Sequence, residues 1–142
     1  MKKIAASIVT STLFSVMMLT SAQAAGASTF GYIYCKGPDA NYPWLHNVYS
    51  SNGVSYSRNT QYDVDMSVTR DGVYAWDTPR RITTSSTGSW STPTYITGPQ
   101  SGNHFQLTVT VYSLLDHVVG TAKSECYFGP PAAPGKVGLD RG

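Results

Sequence analysis

Four aspartates lie close together in the middle of the chain, and carboxylates grouped in this way could bind a cation. They are Asp63, Asp65, Asp71 and Asp77. Calcium is the candidate ion, because it is a hard cation that prefers oxygen ligands. The spacing matches no calcium-binding loop, however, and the outer face of a half-exposed strand is ordinarily polar. The sequence leaves calcium binding open, and we predict no metal or other cofactor as part of the functional site.

Hydrolysis by an activated serine is a second chemistry that the side chains could support. The chain has many serines and three histidines, His46, His104 and His117. Nucleophilic catalysis needs a serine beside a histidine that an acid orients, but no Gly-x-Ser-x-Gly motif is present. The only glutamate, Glu125, shares the polar side of a predicted strand with Lys123. We therefore predict that the protein is not an enzyme, and we keep a small hydrolase that uses His104 or His117 as an alternative.

Cys35 and Cys126 are the only two cysteines. In an exported protein such a pair is normally oxidised to one disulfide. A structural zinc site is not favoured, because it would need both cysteines together with two of the three histidines. The sequence thus predicts a disulfide that joins an early segment of the chain to a late one.

The first residues predict export. Lys2 and Lys3 precede an apolar run that ends near Leu19, and Ala22 and Ala24 form the small-x-small pattern that signal peptidase cleaves. The run is short and interrupted by hydroxyl side chains, which does not favour a membrane anchor. We expect a signal peptide over residues 1–24, cleaved near Ala24, and a secreted or periplasmic bacterial protein whose mature chain has no stable membrane insertion.

The charge balance of the mature chain excludes some classes of partner. Lys2 and Lys3 account for two of the ten basic residues, so eight basic residues remain against eight acidic ones. A protein without a basic excess has no electrostatic basis for binding nucleic acid or an anionic membrane. We therefore expect a glycan or an extracellular or periplasmic protein as the partner.

Aromatic residues are the most informative of the remaining side chains, because several occur where the strand pattern does not require them. A flat amphipathic ring offers a large contact area with little rotamer entropy to lose. The alternative interpretation is that these rings close the ends of a small hydrophobic core. The predicted binding residues, which include two neighbouring arginines as polar partners, are Trp76, Arg80, Arg81, Trp90 and Tyr95.

Alternation of apolar and polar residues predicts the strands that must position these side chains. The clearest segments are residues 105–111 and 118–126, which are joined by a short polar turn and predict an antiparallel hairpin, and residues 62–69. Residues 30–35 form another predicted strand, with Tyr32 and Tyr34 on one face and Ile33 and Cys35 on the other. The disulfide would then join the first strand to the last.

Turn signals divide the rest of the chain. Asn52 and Gly53 predict a hairpin between residues 45–50 and 54–56, because both tolerate the positive φ of a tight turn. Pro79 interrupts the strand that begins at Val73, which places that strand at a sheet edge or ends it early. Residues 83–103 are rich in Ser, Thr, Gly and Pro, and predict a long loop with a short edge strand at 94–97.

Seven to nine short strands without a convincing helix predict an all-β domain. The pattern favours a small antiparallel β-sandwich over residues 25–128, with a β-barrel as the alternative and a flexible tail over residues 129–142. Immunoglobulin domains place their cysteines on inner strands, whereas here they lie on the terminal ones. The resemblance to immunoglobulin-like proteins is therefore one of architecture.

The sequence supports three hypotheses of function. The first is an exported, non-enzymatic recognition module that binds a glycan or a protein through aromatic loop residues. The second is an exported inhibitor or immunity protein that blocks a partner enzyme with the long segment 83–103. The third is a small secreted hydrolase.

Overall fold

A computed structural model describes residues 26–129. The predicted signal peptide and, apart from Gly129, the predicted C-terminal tail lie outside these residues. The described residues form eight strands: β1 (Ser28–Lys36), β2 (His46–Val54), β3 (Gln61–Arg70), β4 (Val73–Thr83), β5 (Trp90–Ser91), β6 (Tyr95–Ile96), β7 (His104–Tyr112) and β8 (Val118–Tyr127). This part of the chain contains no helix with the length and hydrophobicity that crossing a bilayer requires.

The strands form two sheets of four, in which every pairing is antiparallel. In the first sheet β1 pairs with β2, and the short strands β5 and β6 both pair with β2. The second sheet has the order β4-β3-β7-β8. Two packed antiparallel sheets are the arrangement that the strand count predicted, so the all-β sandwich is confirmed.

The centre of the core consists of the inward-facing residues of β3 and β7, and buried side chains from other strands complete it, including Ile33, Tyr49, Ile82 and Val119. Strand side chains alternate between the two faces of a sheet, and the alternating apolar residues of both strands face the first sheet. Burial of each such side chain stabilises the fold by roughly 1.5–3 kcal/mol. The buried side chains in these two strands are Tyr62, Val64, Met66, Val68, Phe105, Leu107, Val109 and Val111.

The outermost strands of the two sheets approach closely where β1 meets β7 and β8. A Cβ atom at Gly31 would lie 2.7 Å from the Cγ2 atom of Val109, so only glycine allows this approach. Cys35 and Cys126 form the predicted disulfide, with their Cα atoms 5.6 Å apart. The Nδ2 atom of the fully buried Asn47 donates to the Cys35 Sγ atom at 3.5 Å. The disulfide thus connects the edge strand of one sheet to the edge strand of the other.

The predicted hairpin around Asn52 and Gly53 is wrong. Both residues lie within β2, which pairs with β1 continuously from His46 to Val54. Gly53 is needed here for space, because a Cβ atom at this position would lie 2.3 Å from the Nε1 atom of Trp90. The chain turns after β2 instead, where Ser55 adopts a φ of 63°.

Pro79 lies within β4, and β4 is an edge strand, as one of the two predicted alternatives required. The predicted short strand at 94–97 is confirmed as β6. The predicted long loop also contains a second short strand that was not expected. Trp90 and Ser91 form β5 and pair with Gly53 and Asn52.

Candidate binding surface

Two of the predicted binding residues, Trp76 of β4 and Tyr95 of β6, both contact the ring of Tyr49. The Nε1 atom of Trp76 donates to the hydroxyl of Tyr49 at 3.2 Å. The ring of Tyr95 stacks on the ring of Tyr49 with a centroid distance of 5.4 Å. Tyr49 is also hydrogen-bonded to the hydroxyl of Thr78 at 2.8 Å. Tyr49 therefore links the first sheet to the edge strand of the second.

Arg80 joins this group from the same face of β4. Its Nη1 atom donates to the Tyr95 hydroxyl at 3.3 Å. We call the five residues Tyr49, Trp76, Thr78, Arg80 and Tyr95 the rim cluster. Trp76 and Tyr95 are half-buried and pack against the core, and Arg80 is exposed. The cluster mainly closes one side of the core, which agrees with the alternative interpretation of these aromatic residues.

Arg81 lies on the opposite face of β4 and is separate from the rim cluster. It donates to both carboxylate oxygens of Asp63, at 2.8 and 3.1 Å. This hydrogen bonding to Asp63 raises the pKa of the Arg81 guanidinium. Because the Arg81 guanidinium is exposed to solvent, the pair contributes little to stability.

Trp90 is buried, and the expectation that it is displayed in a loop is wrong. Only 6% of its surface is exposed, and its ring makes an edge contact with Tyr56 at a centroid distance of 5.9 Å. The physical reason is the pairing of β5 with β2, which brings the indole over the side-chain-free backbone of Gly53. Trp90 therefore cannot present its ring to a ligand in this conformation.

The four aspartates do not converge on one position. Asp63 pairs with Arg81, and Asp71 accepts from the backbone N–H of His104 at 2.9 Å. The Tyr74 hydroxyl donates to Asp77 at 2.6 Å, and this bond, with a further contribution from Asp65, lowers the pKa of Asp77. Within residues 26–129 no group of three or more His, Cys, Asp or Glu side chains could hold a metal ion.

His104 has an acidic partner, as a catalytic histidine would. Its Nε2 atom lies 2.6 Å from Glu125 Oε1, and its ring stacks on that of Tyr127 at 4.4 Å. Among the described residues, however, no serine hydroxyl is hydrogen-bonded to the His104 ring. His46 is fully buried, and its Nδ1 atom lies 2.9 Å from the backbone oxygen of Trp44.

The largest exposed aromatic feature lies on β1. Phe30, Tyr32 and Tyr34 project from the outer face of the first sheet and are 41%, 36% and 54% exposed. We call these three residues the aromatic row. They point outward because Ile33, between two of them, is buried in the core, and alternate strand residues face opposite sides. The sequence prediction favoured Trp and Tyr residues in loops and omitted the aromatic row. The signal for it was present, because Tyr32 and Tyr34 alternate with Ile33 and Cys35 in the sequence.

The strand beside the aromatic row adds uncharged side chains to the same face. In register, Phe30 pairs with Asn52, Tyr32 with Ser50, and Tyr34 with Val48. Strands β5 and β6 continue two of these rows with Ser91 and Ile96. We call this set the sheet face; its members are Phe30, Tyr32, Tyr34, Val48, Ser50, Asn52, Ser91 and Ile96.

An open cleft of about 430 Å³ adjoins the sheet face between β1 and β8. Tyr32 and Tyr34 line it on the β1 side, and Tyr127 lines it on the β8 side. The disulfide also lines the cleft, together with Lys36 and Glu125 at the polar positions. Rings thus border both sides of this groove, and two of them belong to the aromatic row.

The comparisons with known proteins give no relative from which a function could be transferred. No protein-family model matches the chain, and no curated protein sequence or solved structure is significantly similar to it.

Proposed function

We propose that this protein is an exported, non-enzymatic recognition module that binds its partner through the aromatic row. The observation that carries the proposal is the exposure of three neighbouring rings, Phe30, Tyr32 and Tyr34, on one regular strand. Export is supported by the signal-peptide features of residues 1–24 and by the disulfide, which persists in oxidising compartments.

Exposed rings in a row are energetically favourable places for a ligand. Single apolar side chains on a surface are common, but contiguous ones mark interaction sites. A ligand that covers a ring removes apolar surface from water, which favours binding by about 25 cal/mol per Å² of apolar surface buried. The backbone that carries the rings is fixed before binding, since β1 pairs with β2 along its whole length and is tied to β8 by the disulfide. A rigid site loses little conformational entropy on binding.

The sheet face supports recognition better than catalysis. None of its eight members is a carboxylate, an imidazole, an amine or a thiol, so the hydroxyls of Ser50 and Ser91 have no such base within the face to activate them. The nearest amine and imidazole in the β1–β2 pairing are those of Lys36 and the buried His46, which pair with each other two residues beyond Tyr34. A partner that covers the aromatic row would contact rings, hydroxyls and an amide.

No observation favours the inhibitor hypothesis over this one. Its inserting element was the segment 83–103, and the structure packs much of that segment against the first sheet. Thr92 is buried and hydrogen-bonded to the backbone of Ser51, and Thr97 is hydrogen-bonded to Asn47. The buried Trp90 holds the same segment to the core.

The test compares two variants that remove exposed tyrosines from different faces. The double variant Tyr32→Ala/Tyr34→Ala removes two rings of the aromatic row, and Tyr74→Ala removes an exposed ring on β4 of the other sheet. A glycan array and a displayed peptide library supply the ligands. We expect ligands of the parent protein to bind the double variant at least tenfold more weakly and Tyr74→Ala unchanged.

The control for folding is the near-ultraviolet circular dichroism of each variant. If the parent protein binds ligands that the correctly folded double variant retains at full affinity, the aromatic row is not the site. Binding that is lost only in Tyr74→Ala would place the site on the second sheet and overturn the proposal.

A further inference from the structure

We infer that the ligand of the aromatic row is an uncharged glycan chain that lies extended along β1. This inference rests on the proposed function and adds the chemical class and the orientation of the ligand. Three properties of the sheet face lead to it: the spacing of the rings, the polar groups beside them, and the absence of charged side chains among its eight residues.

The spacing of the rings fits an extended ligand. Residues on the same side of a strand recur every second position, so neighbouring rings lie roughly 7 Å apart and the row spans roughly 14 Å. That length corresponds to a short oligosaccharide rather than to one sugar. Because Phe30, Tyr32 and Tyr34 belong to one strand paired along its whole length, they follow one another along the direction of β1. A ligand that contacts all three rings must follow β1.

The neighbouring side chains match the edges of sugar rings. A pyranose has apolar C–H faces, which can stack on aromatic rings, and hydroxyl groups around its rim. Ser50 and Asn52 lie directly beside Tyr32 and Phe30, and Ser91 lies beside Asn52. Hydroxyl and amide groups both donate and accept hydrogen bonds, as a sugar hydroxyl requires. The sheet face therefore offers rings for the sugar faces and neutral polar groups for the sugar edges.

The absence of charge limits the class of glycan. The eight residues of the sheet face include no Lys, Arg, Asp or Glu, and the adjoining cleft adds one residue of each charge, Lys36 and Glu125. An acidic polysaccharide would need basic side chains to replace the water and counterions around its charges. An uncharged glycan makes no such demand, and its binding should be nearly independent of salt.

The size of the face argues against a protein as the principal partner. The sheet face consists of eight residues, whereas each side of a standard protein complex contributes about 20–30 residues. A second copy of this chain faces the same limit. An oligosaccharide needs only the rings and the polar groups beside them.

Affinity electrophoresis and titration calorimetry with soluble neutral polysaccharides test the inference. The probes are β-glucan, α-glucan, mannan and xylan, with polygalacturonate and heparin as acidic counterparts. We expect the parent protein to bind at least one neutral polysaccharide, with less than a twofold change in Kd between 0.05 and 0.5 M NaCl, which is the range over which charge-driven binding weakens strongly. Tyr34→Ala should weaken this binding at least fivefold, and Tyr34→Phe should weaken it less, because the ring that provides the stacking surface remains. Tyr74→Ala, which removes an exposed ring on the other sheet, should leave the binding unchanged.

The other outcomes separate this inference from the proposed function. The parent protein could bind only peptides, or could self-associate in analytical ultracentrifugation, and lose that property in Tyr32→Ala/Tyr34→Ala. Either result would show that the ligand is not a glycan and would leave the recognition site in place. Salt-sensitive binding to the acidic probes alone would overturn the uncharged class. Binding to a neutral polysaccharide that tolerates Tyr32→Ala/Tyr34→Ala would overturn both the inference and the site.

Discussion

Individual tyrosines in this protein have different roles according to the face from which they project. Tyr49 and Tyr56 are buried, and their rings pack against Trp76 and Trp90. Tyr34, with the same side chain, is more than half exposed. The hydroxyl groups follow this division, since that of Tyr49 is hydrogen-bonded inside the sandwich to Thr78. A tyrosine count therefore indicates neither a core nor a binding surface until the face of each residue is known.

The pair of Tyr74 and Asp77 provides a prediction at the level of single side chains. The Tyr74 hydroxyl donates to the Asp77 carboxylate, which lowers the pKa of Asp77 and raises that of Tyr74. Tyr74→Phe removes the donor, so the pKa of Asp77 should rise toward its ordinary value. Titration of the carboxyl carbons by NMR measures the change.

Asp39 is an internal control in the same experiment, because its pKa is lowered mainly by the backbone N–H of Tyr42. Its titration should be unaffected by Tyr74→Phe, and a change in Asp39 or none in Asp77 would contradict the assignment. A carboxyl group whose pKa is lowered on folding favours the folded state above its unfolded pKa. The contribution of Asp77 is therefore lost as the pH falls through its lowered pKa.

The sequence predicted some site residues and missed others for identifiable reasons. Cys35 and Cys126 had no other possible partner, so their pairing followed from composition and compartment. Trp90 occurs in a segment rich in Ser, Thr and Gly that suggested exposure. Its burial depends on Gly53, which is distant in sequence and leaves the space for the indole. Local composition carries no information about such a contact.

Strands in which apolar and polar residues alternate regularly were predictable from the sequence. Strands that depend on pairing with distant strands were not. Residues 62–69 and 105–111 alternate without interruption, and they became the centre of β3 and β7. In β2 the Asn52-Gly53 pair is a dipeptide typical of hairpin turns. Pairing with β1 on one side and with β5 on the other keeps it extended. Tertiary pairing here overrides a local preference, as β-propensity commonly allows.

The short strand β5 gives a prediction at the level of the element. Its attachment depends on the Trp90 indole, which fills the space above Gly53 and contacts Tyr56. Trp90→Ala should lower the free energy of unfolding by about 3–5 kcal/mol, the usual cost of deleting a large buried ring. Urea denaturation measures the effect, and Trp90→Phe should lose less because a ring remains.

Leu115→Ala is the matched control, since Leu115 is an exposed turn residue whose truncation should change stability by about 0.5 kcal/mol or less. The ring partner of Trp90 is Tyr56, on the inner side of the sandwich and not in the aromatic row, so a folded Trp90→Phe protein should keep the affinity of the parent. A Trp90→Ala protein as stable as the parent would contradict the burial of this residue.

For the molecule as a whole, the disulfide joins strands that are 91 residues apart in sequence. In the loop-entropy account, a closed loop of this length stabilises the folded state by up to about 4–5 kcal/mol. The double variant Cys35→Ser/Cys126→Ser should therefore unfold at a much lower urea concentration. The reduced parent protein should resemble the variant, and the variant itself should be insensitive to reductant. An unchanged midpoint would mean that the disulfide adds little to the stability of the sandwich.

Pro79 also matters for how copies of this molecule meet one another. It occupies the middle of β4, the outermost strand of the second sheet, and a proline has no N–H group to donate to an approaching chain. On the other side of the molecule, β1 and β8 are held against each other by the disulfide. Growth of a continuous intermolecular sheet is hindered at both places. A concentrated solution should consequently resist fibril formation, and the flat faces remain as the surfaces through which the molecule can make contacts.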